Sequence, residues 1–104
     1  MRGNLWALLP PDQGQEVFET LCQQTAFKVQ RIVSYGHASA EWYDSAQAEW
    51  VVLLKGEARV QFADQAEPHH LQAGDWLAIA PHQRHQVQST SSDALWLAIH
   101  YVPN

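Results

Sequence analysis

Trp50-Val51-Val52-Leu53-Leu54 is an unbroken apolar run, closed by Lys55-Gly56-Glu57 and followed by Ala58-Arg59-Val60-Gln61-Phe62. Such a run is too short for a free-standing helix, which needs about 12 residues to hold in water. It reads as a strand, and apolar side chains at both parities predict burial on both faces. The Lys-Gly-Glu step predicts a hairpin turn into the next strand. Upstream, Phe27 to Tyr35 is rich in β-branched and aromatic residues and ends at Gly36, again a strand. Downstream, Ala63 to Pro68 is a turn, and His69-His70 are placed with it as exposed residues. Ala73-Gly74-Asp75 is a turn before the strand Trp76–Ile79, which Pro81 ends. Arg84 to Gln88 and Ala94 to Val102 are the last strands, separated by the polar loop Ser89–Asp93. Glu16 to Gln23 fits either a strand or a short helix with Val17, Phe18 and Leu21 inward. Seven or eight short strands with no amphipathic helix make an all-β sandwich or closed barrel, an architecture that can hold a cavity between its sheets.

The 104 residues suffice for one domain, divided here into an N-terminal arm or edge segment (1–25) and a barrel (26–104). Apolar residues make up 46% and charged residues 16%, which supports a buried core and excludes a disordered chain. The net charge is −5, and Lys28, Arg31, Lys55, Arg59 and Arg84 are scattered; this excludes a nucleic-acid footprint. No apolar run is long enough for a transmembrane helix, and the N-terminus lacks the apolar core of a signal peptide. With Cys22 as the single cysteine, the expected location is the cytoplasm. A small-molecule or metal site is therefore the class to look for.

Glu49 opens the apolar strand, where a carboxylate is costly unless compensated. Asp44 stands five residues earlier; His82 and His85 follow Pro81; His100 lies inside the apolar strand Leu95–Tyr101. Alternation puts His85 on one face with Val87, and His100 on one face with Trp96 and Ala98. If Glu49 and His85 both point inward, a carboxylate meets an imidazole, a donor pair suited to Zn, Mn, Fe or Ni. Each residue also has a plainer reading. Glu49 would pair with Arg59, Asp44 would cap a turn, His82 would sit at the rim, and His85 and His100 would be satisfied core histidines. The five Trp read as core, except Trp42, placed at the barrel mouth where its ring could stack on a ligand.

Glu49, six residues and Gly56, then Gly74 and His85, resemble the two motifs of the cupin superfamily, G-x5-H-x-H-x3-4-E-x6-G and G-x5-P-x-G-x2-H-x3-N. Trp42-Tyr43-Asp44, Leu54-Lys55-Gly56-Glu57-Ala58 and Trp96-Leu97-Ala98-Ile99-His100-Tyr101 further resemble small single-domain bacterial cupins. The resemblance covers residues 27 to about 102 and implies an RmlC-like jelly roll of two antiparallel sheets. The two histidines of the first motif fall at Trp42 and Asp44. In the second motif, Pro falls on Ala80, Gly on His82 and Asn on Ser89. The resemblance implies a divalent metal (Zn, Mn, Fe or Ni) held by Asp44, Glu49 and His85, with His82 or water as a fourth ligand. It places Trp42, His82 and His100 against a small polar organic ligand, with Tyr43, His82 or His100 as acid or base. The implied activity is that of a metal-dependent oxygenase or isomerase; the alternative is a non-catalytic binding or sensing module. It also implies a homodimer, with Leu5, Trp6, Leu8 and Leu9 of the arm covering a neighbour.

Overall fold

Strands with alternating inward apolar side chains need a second layer to bury them, and here the second layer comes from the same chain. The computed structural model describes residues 2–104. Its strands are β1 (Val17–Gln23), β2 (Phe27–Val33), β3 (Ala48–Lys55), β4 (Glu57–Phe62), β5 (His69–Gln72), β6 (Trp76–Ile79), β7 (His85–Thr90) and β8 (Leu95–Tyr101). They form a five-stranded sheet, β1-β2-β8-β3-β6, and a three-stranded sheet, β5-β4-β7. Every pairing is antiparallel. Among the described residues there is no helix. Ile32, Val51, Leu53, Val60, Phe62, Leu71, Ile79, Val87 and Trp96 fill the space between the sheets.

The open alternative at Glu16–Gln23 resolves as a strand. β1 pairs with β2 from Val17↔Val33 to Gln23↔Lys28, with one bulge between Thr20 and Cys22. Residues 1–25 thus contribute an edge strand to the larger sheet. The preceding arm is tied to its own chain. The Arg31 guanidinium donates to the carbonyls of Leu5 (3.0 Å), Ala7 (2.7 Å) and Leu8 (3.2 Å) and to Glu19 Oε1 (2.6 Å). Tyr35 donates to the Pro10 carbonyl, and His37 bonds Asp12.

Three expectations need correction. Lys55-Gly56-Glu57 is not a hairpin, because β3 and β4 lie in different sheets. It is the corner where the chain leaves one sheet for the other. Gly56 has φ +87°, and a Cβ there would stand 2.3 Å from Ser91 Oγ, 2.9 Å from Asp93 Oδ1 and 3.0 Å from Ala94 Cα. Second, β3 is not buried on both faces: Val51 and Leu53 are buried, but Trp50, Val52 and Leu54 are half-buried on the outside. Third, His69 and His70 belong to β5 instead of a turn, and the His69 ring packs edge-on against Phe62 at 5.4 Å.

The corner makes a quantitative expectation. Gly56→Ala combines a left-handed backbone with a clash against the Ser91 and Asp93 side chains and a tight approach to the Ala94 backbone, whereas Gly74 (φ +96°) has open space where its Cβ would go. Gly74→Ala should cost about 1–2 kcal/mol and Gly56→Ala about 3 kcal/mol or more. Urea midpoints of the two variants check this; equal losses would mean that the corner is not sterically closed.

Candidate functional site

Register builds the site. His100 on β8 stands directly opposite Lys28 on β2 and opposite Glu49 on β3, and Glu49 is opposite Ile79 on β6. Ile32 opposite Trp96 marks the inward parity, so Lys28, His100, Glu49 and Ile79 form one inward row across four strands. From the other sheet, His85 opens β7 opposite Phe62 and forms an isolated bridge with Tyr43. The Glu49 carboxyl consequently lies between two imidazoles, with Oε1 3.6 Å from His85 Nε2 and Oε2 3.9 Å from His100 Nε2. All three side chains are largely shielded, with 13% (Glu49), 9% (His85) and 16% (His100) of their surface exposed. These separations are contacts, too long for hydrogen bonds.

One nitrogen of each ring is fixed by a neighbour. His85 Nδ1 lies 3.0 Å from the Gln83 carbonyl; a carbonyl only accepts, so Nδ1 carries the hydrogen and Nε2 presents a lone pair to Glu49. His100 Nε2 lies 3.2 Å from Gln30 Oε1, and donates to that amide oxygen. Burial pushes the Glu49 carboxyl up to about 7, with the Glu16 charge adding to the rise and Lys28 opposing it. Burial pushes both imidazoles down, and for His100 the Lys28 and His85 charges add to the effect. The two imidazoles therefore favour their uncharged forms, while Glu49 is shared between acid and carboxylate near pH 7.

This trio borders a cavity of about 190 Å³ walled by Ile32, Val51, Val60, Leu77, Ile79, Val87 and Trp96. At its other end is Glu16, which is 7% exposed. Its carboxylate accepts from Ser34 Oγ (2.8 Å) and Tyr43 Oη (2.9 Å), and Ser34 Oγ in turn accepts the Trp96 indole N–H (2.9 Å). Burial raises Glu16 despite those bonds, and burial together with Glu16 raises the Tyr43 phenol, which stays protonated. The Tyr43 ring meets His85 edge-on at 5.6 Å, so the two ends of the cavity are in contact.

Of the expected site residues, Glu49, His85 and His100 converge. Asp44 borders the cavity mouth, but its Oδ1 bonds His82 Nδ1 at 2.8 Å, and both side chains are exposed. His82 does not line the cavity; its backbone has φ +59°, the left-handed conformation for which a glycine is suited, and its N–H donates to the Ser45 carbonyl. Trp42 lies outside the cavity, with the Arg84 guanidinium 5.5 Å from its ring centre. Arg59, offered as a partner for Glu49, is exposed on β4. Glu16 and Gln30 were not foreseen. A carboxylate ahead of an ambiguous segment and an amide inside a strand carry no signal until their partners are known.

The metal centre expected from Asp44, Glu49 and His85 is not assembled. Asp44 is engaged at the rim, and His100 Nε2 carries a hydrogen toward Gln30. Glu49 and His85 remain, one donor short of the three protein ligands that a catalytic zinc takes. Among the described residues no three His, Cys, Asp or Glu side chains form a group that could hold a metal ion. The donor set does not fit the group.

A family profile described as "Cupin domain" matches residues 31–100. No curated protein matches the chain significantly. Among solved structures, the chain is similar to a "putative mannose-6-phosphate isomerase" of Ralstonia eutropha JMP134, with 36% identity, TM-score 0.92 and 99% of both chains covered. It is also similar to a cupin superfamily protein of Desulfitobacterium hafniense DCB-2 (20% identity, TM-score 0.79, 95% of this chain and 88% of that one). An RmlC-like cupin protein of Desulfovibrio desulfuricans is comparable (18%, TM-score 0.81, 97% and 95%). These last two are similar in fold alone.

Proposed function

The chain belongs to the cupin family, and from that membership we propose that its barrel binds a small organic molecule and moves a proton on it with Glu49 and His85. The observation that carries this reading is the Glu49 carboxyl facing His85 Nε2 at 3.6 Å at the border of an apolar cavity. A carboxylic acid with a pKa near 7 and a neutral imidazole with a free lone pair are a donor and an acceptor matched to neutral pH. Taking a proton from one atom and returning it to a neighbour is isomerase chemistry, and isomerase is the activity named for the Ralstonia protein. His100, held by Gln30, stands 3.9 Å from the second carboxyl oxygen and walls that side of the carboxyl. Because the walls are almost wholly apolar, the second reading is a module that binds such a molecule and leaves it unchanged.

Stability against pH tests the state of the trio. Glu49 is raised when folded, so its contribution is present below its ordinary value and is lost as pH rises through about 7. The lowered histidines act oppositely; their contribution holds above their ordinary value and is lost as pH falls through their folded values. Glu49→Gln should match the native chain near pH 4 and exceed its stability at pH 9 by up to about 3 kcal/mol. EDTA should move neither curve. A Glu49→Gln variant that is less stable at pH 9, or a native chain weakened by EDTA, would contradict the reading.

We also propose that a second copy of the chain covers the outer face of the larger sheet. Trp50 and Trp76 stack there at 5.9 Å, and Trp76 (58%), Val102 (55%) and Tyr101 (37%) are exposed beside half-buried Val29, Val52, Leu97 and Ile99. Strands β2, β8, β3 and β6 place these side chains on one continuous face. Two such faces related by a two-fold axis pack as sheets do. Sedimentation at tens of micromolar should give a dimer that Trp76→Glu converts to a monomer; a native monomer would contradict it.

A further inference from the structure

The charges around the cavity are one-sided. Glu16, Asp44 and Glu49 border it, and no Lys or Arg does. Each cation in the chain is placed elsewhere. Arg31 is held by Glu19 and three carbonyls of the arm. Arg84 lies over Trp42, outside the lining. Lys55 and Arg59 are exposed on β3 and β4, and Arg2 is exposed on the arm. Lys28 stands beyond His100 in the inward row and does not reach the lining. The Glu16 carboxylate is held by two hydroxyl donors, Ser34 and Tyr43, and by no Lys or Arg. Beside Tyr43, Ser45, His85 and His100 the remaining lining is apolar, and the volume of about 190 Å³ suits a single ring, since an apolar cavity of roughly 150 Å³ takes benzene.

We infer that the ligand is an uncharged or cationic molecule of about one ring in size, and that Glu16 and Glu49 exclude anions, sugar phosphates among them. The inference rests on the cavity being the ligand site, as proposed above. A phosphate entering it would lose its hydration and meet carboxylates with no Lys or Arg in the lining to offset them. A neutral ring loses little on entry. An ammonium group would bring the carboxylates a counter-charge that no Lys or Arg of the lining provides. The mannose 6-phosphate in the name of the Ralstonia protein is therefore the wrong charge class for this chain.

Four probes test the inference: benzyl alcohol, benzylamine, benzoate and mannose 6-phosphate, followed at pH 7.5 by saturation-transfer NMR on the native chain. Benzylamine and benzyl alcohol should bind saturably, and benzoate and mannose 6-phosphate at least tenfold more weakly. Glu16→Gln should shrink the advantage of benzylamine over benzyl alcohol severalfold while leaving benzyl alcohol in place. Glu49→Gln provides the same comparison if Glu16→Gln does not fold. Leu77→Trp, which fills the cavity from the edge strand, should abolish binding of both. If benzoate or mannose 6-phosphate binds as tightly as benzyl alcohol, the charge selection is overturned and the cavity stands. If no probe binds, the cavity reading is overturned and this inference falls with it.

Discussion

Burial of one carboxyl between two imidazoles is the constraint on which the rest of the site depends. Glu49 cannot face the barrel interior as a lone anion without a large desolvation cost, and the antiparallel register of β3 and β8 gives it no other direction once Val51 and Leu53 are inward. The same register sets His100 beside it, and the Tyr43–His85 bridge brings His85 from the opposite sheet. The outcome is a carboxyl whose ionisation is pushed up to about 7, beside two imidazoles that favour their uncharged forms.

The elements around the trio are supports. The Gln83 carbonyl sets the tautomer of His85, and Gln30 holds His100. Glu16, Ser34, Tyr43 and Trp96 form a second network that joins the entry to β1, the end of β2, the 43–45 loop and β8. That network fixes the wall opposite Glu49 and also raises Glu49 by its charge. The Asp44–His82 pair laces the 43–45 and 80–83 loops at the mouth. It occupies the side chain that a three-ligand metal centre would need. The strands that the family resemblance assigns to a metal centre thus carry here a carboxyl facing an imidazole, with no three-ligand group among the described residues. Function in such folds belongs to the site and not the architecture.

The fold was legible where short-range pattern suffices. Alternation placed His85 with Val87 and His100 with Trp96, and all four border the cavity. The spacing of Glu49 to Gly56 and of Gly74 to His85 located the inward carboxyl and imidazole. The second motif assigns a glycine where His82 stands, and His82 has the left-handed backbone that a glycine adopts most easily. The misreadings are long-range. Lys-Gly-Glu serves a hairpin and a sheet-to-sheet corner equally well, and only the pairing of β3 with the distant β8 tells them apart. Asp44 occupies a ligand position in sequence, but its partner His82 lies 38 residues away. Glu16 gave no signal because Ser34 and Tyr43, which hold it, are 18 and 27 residues distant.

The protonation of the two imidazoles is the most direct readout of this account. Long-range nitrogen–proton NMR of the histidine rings, from pH 5 to pH 9, distinguishes the two tautomers and the charged form. The expected result is a neutral His85 protonated on Nδ1 and a neutral His100 protonated on Nε2, both persisting as the pH falls below the ordinary histidine value. Imidazolium signals from both rings at pH 6.5, beside an ionised Glu49, would contradict it.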